Sequence, residues 1–126
     1  MKITIKSTNL TLSDSIYAYI STKINSLDKF VQNVGEESAI GNPPIECWVE
    51  VEKTTEHHRK GNIFRAEGQI RLPGASGVRA EATEWDLHQA IDMVKDELQR
   101  QLKRYKRKMI AKRRSPSHKA TEDQRR

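Results

Sequence analysis

Alternating apolar and polar positions mark four segments of the chain as strands. Apolar side chains alternate with polar ones at Ile3 and Ile5 in residues 2–7, and at Ile45, Cys47, Val49 and Val51 in residues 45–54. The same period returns from Phe64 to Leu72 and from Val78 to Ala82. Gly61-Asn62 and the segment 73–77 supply turn residues between the last three segments. The sequence therefore predicts one strand followed, later in the chain, by a three-stranded antiparallel meander.

Two other segments show the three- and four-residue spacing of amphipathic helices. The first follows Ser13, a favourable N-cap, and is predicted to run to about Phe30. Its apolar stripe consists of Ile16, Ile20, Ile24, Leu27 and Val31. The second is predicted from about Glu84 to near Lys108, with Thr83 and Asp86 as a capping box. Its stripe consists of Leu87, Ala90, Ile91, Val94, Leu98, Leu102 and Tyr105.

The order of these elements predicts an α+β fold, a two-layer β-α-β-β-β-α sandwich with both helices on one face of a four-stranded sheet. The 126 residues allow one compact domain, which we place at residues 1–109. Residues 110–126 hold a proline and no apolar period, and we expect them to be a basic, disordered tail. Residues 32–44 contain two glycines and two prolines and are expected to form an exposed loop.

The positive charge of the chain is concentrated in one segment. The formal net charge is +6, yet residues 1–94 hold 10 Lys/Arg against 13 Asp/Glu. Residues 95–114 hold 10 against 2. An acidic body with one concentrated basic segment indicates a scaffold that presents an anion-binding element, and nucleic acid is the leading partner class. A solvated helix face that binds nothing stays open as the alternative.

The basic residues of the second helix share one face. At about 100° per residue, four of them fall within an arc of roughly 100° on the side opposite Leu98. These four are Arg100, Lys103, Arg104 and Arg107, with Lys95, Lys106 and Lys108 on the flanks. Lys112, Arg113 and Arg114 are expected to extend the surface as a flexible arm. Such a row of cations suits a row of phosphates and predicts RNA binding, although two or three of them would suit the helix dipole alone.

Signals for catalysis or metal binding are poor. His57 and His58 are adjacent, which is not the four-residue spacing that places two ligands on one helical face. Cys47 lies on the apolar side of its strand with no base nearby in the sequence, and a packed thiol is the better interpretation. Trp48, on the wet side of that strand, is better explained by cross-strand packing than by stacking on a base. We predict a protein that is not an enzyme and uses no metal, cofactor or small-molecule substrate.

The sequence also bears on the compartment. No run approaches the roughly 18 apolar residues of a membrane span, and the N-terminus has no apolar signal core. A single cysteine cannot form a disulfide within the chain, which fits a reducing compartment. We expect a soluble, cytoplasmic protein without a membrane partner.

Particular strings in the chain resemble one protein family. Residues 85–108, WDLHQAIDMVKDELQRQLKRYKRK, contain the pattern D-[ML]-x-x-A-I-D followed by R-Q-L. Leu27-Asp28-Lys29-Phe30 looks like L-[ED]-[KR]-aromatic, and VEVEKTTEHHRKGNIFRAEGQIRLPG is similar to the strand region of that family. On these motifs, residues 1–108 resemble the ribosome hibernation-promoting factors and ribosome-associated inhibitor A, in their short, sigma-54 modulation protein-like form.

The resemblance implies a fold akin to double-stranded-RNA-binding domains and a position on the small ribosomal subunit, on rRNA between head and body. There such a factor blocks the path of mRNA and tRNA and holds ribosomes idle. The resemblance also implies RNA contacts by Lys23 and Lys29 of the first helix. The loop at 32–44 is longer than in typical short members, and the sequence has no C-terminal domain of the kind with which long members pair ribosomes. We therefore expect a monomer when the protein is free.

Two other functions stay open from the sequence. The chain could be a general binder of structured or double-stranded RNA, unrelated to ribosome silencing. It could also be a protein-interaction module whose basic helix docks on an acidic partner. These hypotheses share the same charged helix and differ in the partner that it contacts.

Overall fold

The structure, a computed structural model, describes residues 1–31, 45–54, 63–72 and 77–113. In chain order the main elements are β1 (Lys2–Thr8), α1 (Asp14–Asn25), β2 (Glu46–Thr54), β3 (Ile63–Arg71), β4 (Val78–Glu84) and α2 (Leu87–Arg113). The predicted α+β fold class with the order β-α-β-β-β-α is confirmed. The predicted loop at 32–44, the Gly61-Asn62 turn, most of the turn at 73–77 and the tail from residue 114 lie outside the described residues.

The four strands form one mixed sheet in the order β1-β2-β3-β4. Strands β2, β3 and β4 pair antiparallel in sequence order, which confirms the predicted meander. Strand β1 pairs parallel with β2, and Ile3 lies opposite Cys47. A parallel neighbour requires a crossover rather than a hairpin, and α1 lies within that connection. The sheet therefore has β1 and β4 as its two edges.

The helices cover one face of the sheet and bury its apolar positions. Helix α2 packs over β3 and β4, while α1 contacts β1 and α2. The buried strand residues include Cys47, Val49, Val51, Ala66, Ile70, Val78, Ala80 and Ala82. A Cβ atom at Gly68 of β3 would lie 2.8 Å from Leu98 Cδ1 and 3.0 Å from Val94 Cγ1, so glycine permits the close approach of α2. This packing fixes which face of α2 points away from the sheet.

The first helix ends earlier than its apolar stripe predicts. Ser13 caps it as expected, since its hydroxyl oxygen accepts from the N–H of Ile16 at 3.2 Å. Helix α1 stops at Asn25 rather than near Phe30, because the Ser26 hydroxyl donates to the carbonyl of Lys23 and the N–H of Leu27 bonds to Ile24. A further helical turn at residues 28–31 continues the chain, and Leu27 and Val31 are still buried.

The predicted capping box of the second helix is wrong. Thr83 lies in β4 opposite Arg65, because pairing with β3 continues to Glu84. Asp86 caps α2 instead, since its carboxylate accepts from the N–H of His88 at 3.0 Å and its carbonyl accepts from Ala90. The helix begins at Leu87, three residues later than predicted, and runs to Arg113, five residues beyond the predicted end. It crosses the boundary that we place at residue 109, and the division into domain and tail stays a prediction.

Candidate nucleic-acid interface

Helix α2 changes character along its length. Residues 87–97 hold Asp92, Asp96 and Glu97, whereas residues 98–113 hold eight Lys/Arg and no acidic residue. On the inner side of this second half, Leu98 and Leu102 are fully buried. Four basic residues on the opposite side are exposed, and we call them the cationic ridge: Arg100, Lys103, Arg104 and Arg107. The burial of the leucines therefore turns the cationic ridge toward solvent, as the helical wheel predicts.

Most of the charge on the cationic ridge has no carboxylate partner in the part of the chain that the structure describes. Arg100 forms an ion pair with Glu97 at 2.8 Å. Among the described residues, the other three members have no carboxylate partner within 4.0 Å, and neither do Lys106 and Lys108. Lys95 lies one turn earlier, where its ammonium group contacts Gln99 at 2.7 Å and Asp96 at 3.8 Å. An anion that binds the ridge would displace few internal ion pairs.

The structure also shows where the remaining predicted site residues lie. Lys23 of α1 is 3.5 Å from a carboxylate oxygen of Asp92 and 5.5 Å from the ring centre of Tyr19. Lys29 lies over the ring of Phe30 at 5.2 Å, and Lys103 of the ridge lies 5.5 Å from the same ring centre. The structure thus brings Lys29 to the ridge, whereas Lys23 is partly neutralised by Asp92. The side chains of Lys112 and Arg113, in the last turn of α2, and the whole of Arg114 lie outside the described residues.

A polar contact fixes α1 against α2. The Tyr19 hydroxyl donates to Asp92 at 2.6 Å, and the ring of His88 packs edge-on against the Tyr19 ring at 4.5 Å. The hydrogen bond to Asp92, helped by burial and by the negative charges of Asp92 and Asp86, raises the pKa of Tyr19 to about 12. The physical reason is that deprotonated Tyr19 could no longer donate this hydrogen bond, and its phenolate would lie next to the negatively charged carboxylate of Asp92.

We expect Asp92→Asn to lower the pKa of Tyr19 toward its ordinary value near 10, because the charged acceptor is removed. Absorbance titration of the phenolate measures this, with the Tyr19→Phe difference spectrum identifying the group. The raised pKa means that this contact stabilises the fold below about pH 10 and is lost as the pH rises through about 12. Tyr17→Phe, at an exposed tyrosine of the same helix, is the control. In this variant the titration step with the highest pKa is expected to remain. An unchanged titration in Asp92→Asn would contradict the role of Asp92.

The outer face of the sheet differs from the ridge because its charges pair with one another. Arg65 contacts the carboxylates of Glu52, Glu67 and Glu81, and Arg79 contacts Glu67 at 2.7 Å. Partial burial alone would raise the pKa of Glu67, but hydrogen bonds from the two arginines outweigh it and hold this pKa below its ordinary value. Compensated charges of this kind attract a polyanion weakly, so the helix layer is the better interface.

The other residues singled out in the sequence have structural roles where they are described. The ring centre of Trp48 lies 5.4 Å from the guanidinium carbon of Arg71 on the neighbouring strand, which confirms the prediction that Trp48 packs across strands. Cys47 is buried, and burial raises the pKa of its thiol to about 12, so the thiol stays protonated at neutral pH. Within the described ranges, no cluster of three or more His, Cys, Asp or Glu could hold a metal ion. His57 and His58 lie outside those ranges.

Comparison with known proteins decides the family. The family model described as sigma 54 modulation protein / S30EA ribosomal protein matches residues 3–110. The chain belongs to this family. The S30EA family comprises ribosome-associated hibernation factors, which are not enzymes, and this confirms the resemblance and agrees with the expectation of a non-catalytic protein. No helix in the described part of the chain is long and apolar enough to cross a membrane.

Relatives in the S30EA family include three ribosome hibernation promotion factors. The protein of Lactococcus lactis is 33% identical over 113 residues, which is 89% of this chain and 53% of the relative. Those of Picosynechococcus and Staphylococcus aureus are 25% and 27% identical over 97% and 82% of this chain, and over 58% and 47% of their own length. The chain thus spans about half the length of these relatives.

A solved structure supports the same assignment. The N-terminal domain of Thermus thermophilus Protein Y matches with a TM-score of 0.63 and 29% sequence identity, over 83% of this chain and 99% of that domain. The two share the α+β arrangement of a four-stranded sheet and helices. The fold of that domain therefore extends to this chain.

Sequence reasoning missed three contact residues of the helix layer: Tyr19, Phe30 and Asp92. Tyr19 and Asp92 are separated by 73 residues, and no local pattern relates them. The only available signal was that Asp92 and Phe30 end family-like strings. Their role as contacts between elements needed the tertiary structure.

Proposed function

We propose that this chain is a ribosome hibernation factor that binds the rRNA of the small ribosomal subunit between head and body and sterically blocks the mRNA and tRNA sites. The observation that carries this proposal is the cationic ridge, an exposed row of cations on a helix of an S30EA-family fold, of which only Arg100 has a carboxylate partner among the described residues. Relatives named ribosome hibernation promotion factors support it. It is proposed to act in the cytoplasm, as a monomer when free.

The mechanism is occlusion. The cationic ridge binds phosphates of folded rRNA, with Lys23, Lys29 and Lys95 beside it and Lys106, Lys108, Lys112, Arg113 and Arg114 extending the surface. Long basic side chains recognise phosphate positions and RNA shape more than base edges. The body of the domain, held rigid by its apolar core, then excludes competing ligands from the same space. No bond is made or broken in this mechanism.

The decisive experiment measures ligand exclusion on purified small subunits. Excess protein at low ionic strength is expected to prevent binding of labelled mRNA and initiator tRNA, and the block is expected to weaken as salt is raised. In sedimentation, the protein is expected to travel with small subunits and not with separated large subunits. Undiminished uptake of mRNA and initiator tRNA by subunits saturated with the protein would refute the proposal.

A general binder of structured or double-stranded RNA is the second candidate, because the cationic ridge offers charges and few groups that read bases. Sedimentation of a whole lysate separates the two candidates. A hibernation factor concentrates in ribosomal fractions, whereas a general binder spreads over all structured RNA. Retention of a partner after nuclease treatment would instead indicate the protein-interaction module.

A further inference from the structure

One aromatic ring joins cations from two separate elements. Phe30, in the helical turn at 28–31, has the ammonium group of Lys29 at 5.2 Å from its ring centre and that of Lys103 at 5.5 Å. Because both ammonium groups lie this close to one point, they are at most 10.7 Å apart. The two lysines are 74 positions apart in the chain.

The ring that receives them is held in place. Phe30 is partly buried and packs against the hydrophobic core, and its backbone N–H bonds to the carbonyl of Leu27 at 2.9 Å. Lys29 and Lys103 themselves are exposed. An aromatic face attracts a cation without neutralising its charge, so the ring orients both ammonium groups and leaves them able to bind an anion.

These two lysines differ from Lys23 and Arg100, which both have a carboxylate partner. Lys23 is paired with Asp92, and Arg100 is paired with Glu97. Among the described residues, neither Lys29 nor Lys103 has a carboxylate within 4.0 Å. Two like charges beside one ring, with no carboxylate within 4.0 Å in the described part of the chain, raise the local positive potential, which a phosphate would relieve.

We propose that Lys29 and Lys103 form a single phosphate-binding site for an RNA backbone, with Phe30 as the positioning residue that sets their geometry. The inference rests on the proposed function, since it takes the cationic ridge as the RNA-binding surface. It adds a composite site built from the turn after α1 and from α2. In this site one phosphate group contacts both ammonium groups, which requires them to lie within about 8 Å of each other, inside the 10.7 Å limit that the ring sets. Such a shared contact would fix the register of RNA across the two elements.

Phe30→Leu tests the positioning role, since leucine keeps an apolar contact with the core and removes the aromatic face. We expect affinity for small ribosomal subunits and for a short A-form RNA duplex to fall about three- to tenfold. The slope of log affinity against log salt is expected to become shallower by up to about one unit. Phe30→Tyr retains the ring and is expected to retain affinity.

Phe64→Leu is the matched control, because Phe64 is also partly buried and packed against the core but has no cation over its ring among the described residues. Thermal melts of both variants establish the loss of stability that either change causes. If Phe30→Leu weakens RNA binding no more than Phe64→Leu, the positioning role is wrong.

A double-mutant cycle tests the composite site without touching the core. Lys29→Gln and Lys103→Gln are expected to lose less affinity together than the sum of their separate losses, because both remove the same phosphate contact. Lys29→Gln with Arg107→Gln is the control pair and is expected to be additive. Additive losses for Lys29 and Lys103 would overturn the inference. If Lys103→Gln, Arg104→Gln and Arg107→Gln all leave binding unchanged, the proposed RNA-binding surface fails as well, and the two failures are thus distinguishable.

Discussion

Replacing all four residues of the cationic ridge with glutamine is expected to weaken binding to small ribosomal subunits about 100-fold or more at low salt. Each ridge residue is exposed, and three of them have no carboxylate partner in the described part of the chain, so the charges are available to phosphates. Loss of four phosphate contacts is also expected to make the slope of log affinity against log salt shallower by about three units. Binding titrations at several salt concentrations measure both quantities.

A charge-matched variant separates a specific surface from overall charge. The control replaces four exposed basic residues of the sheet with glutamine and so removes an equal number of positive charges: Lys2, Lys6, Arg71 and Arg79. This control is expected to lower affinity only a few-fold, through the weaker long-range field. Equal losses in the two variants would mean that net charge, and not the cationic ridge, governs binding. The melting temperature of the ridge variant is expected to stay close to that of the parent, because surface substitutions have small effects on stability.

Leu98→Ala is expected to destabilise the fold by about 2–5 kcal/mol, a large part of the free energy of unfolding of a typical domain. Leu98 is fully buried and packs where α2 approaches Gly68 most closely, so truncation leaves a cavity between helix and sheet. Urea denaturation measures the change. Gln89→Ala, at an exposed position of the same helix, is the control and is expected to stay within about 0.5 kcal/mol of the parent.

Gly68→Ala changes the other side of the same contact. By itself this substitution overpacks the contact and is expected to lower the free energy of unfolding by about 1–3 kcal/mol, since the added Cβ would lie 2.8 Å from Leu98 Cδ1. In the double variant the added methyl group occupies space that the shortened side chain vacates. The double variant is therefore expected to lose less stability than the sum of the two single losses. Strict additivity would show that the helix does not rest on this glycine.

Local patterns predicted the elements well where the deciding contacts are also local. The two-residue period of β2 and β3 and the Ser13 cap of α1 depend on neighbouring residues, and the structure confirms them. The start of α2 was predicted wrongly because Thr83 has a suitable side chain for a cap but is held in β4 by pairing with Arg65 on β3. A cap that competes with a strand cannot be recognised without the partner strand.

The candidate site divides in the same way. Exposure of the cationic ridge follows from the position of Leu98 and Leu102 on the helix, which the spacing alone reveals. Two other contacts arise only when α1 and the turn after it pack beside α2. They are the shared contact of Lys29 and Lys103 with Phe30, and the hydrogen bond between Tyr19 and Asp92. The identity of the RNA-bound residues stays a prediction.

By itself, the sequence determined the alternation of strands and helices, the separation of an acidic body from a basic helix end, and the face on which those cations stand. These properties depend on residues within one or two turns of each other, where backbone geometry dictates direction. Only the tertiary structure decided the parallel pairing of β1 with β2, the residue at which β4 ends before α2, and the contact of two lysines with the ring of Phe30. Each of these joins residues distant in the chain, and burial of the common core brings them together.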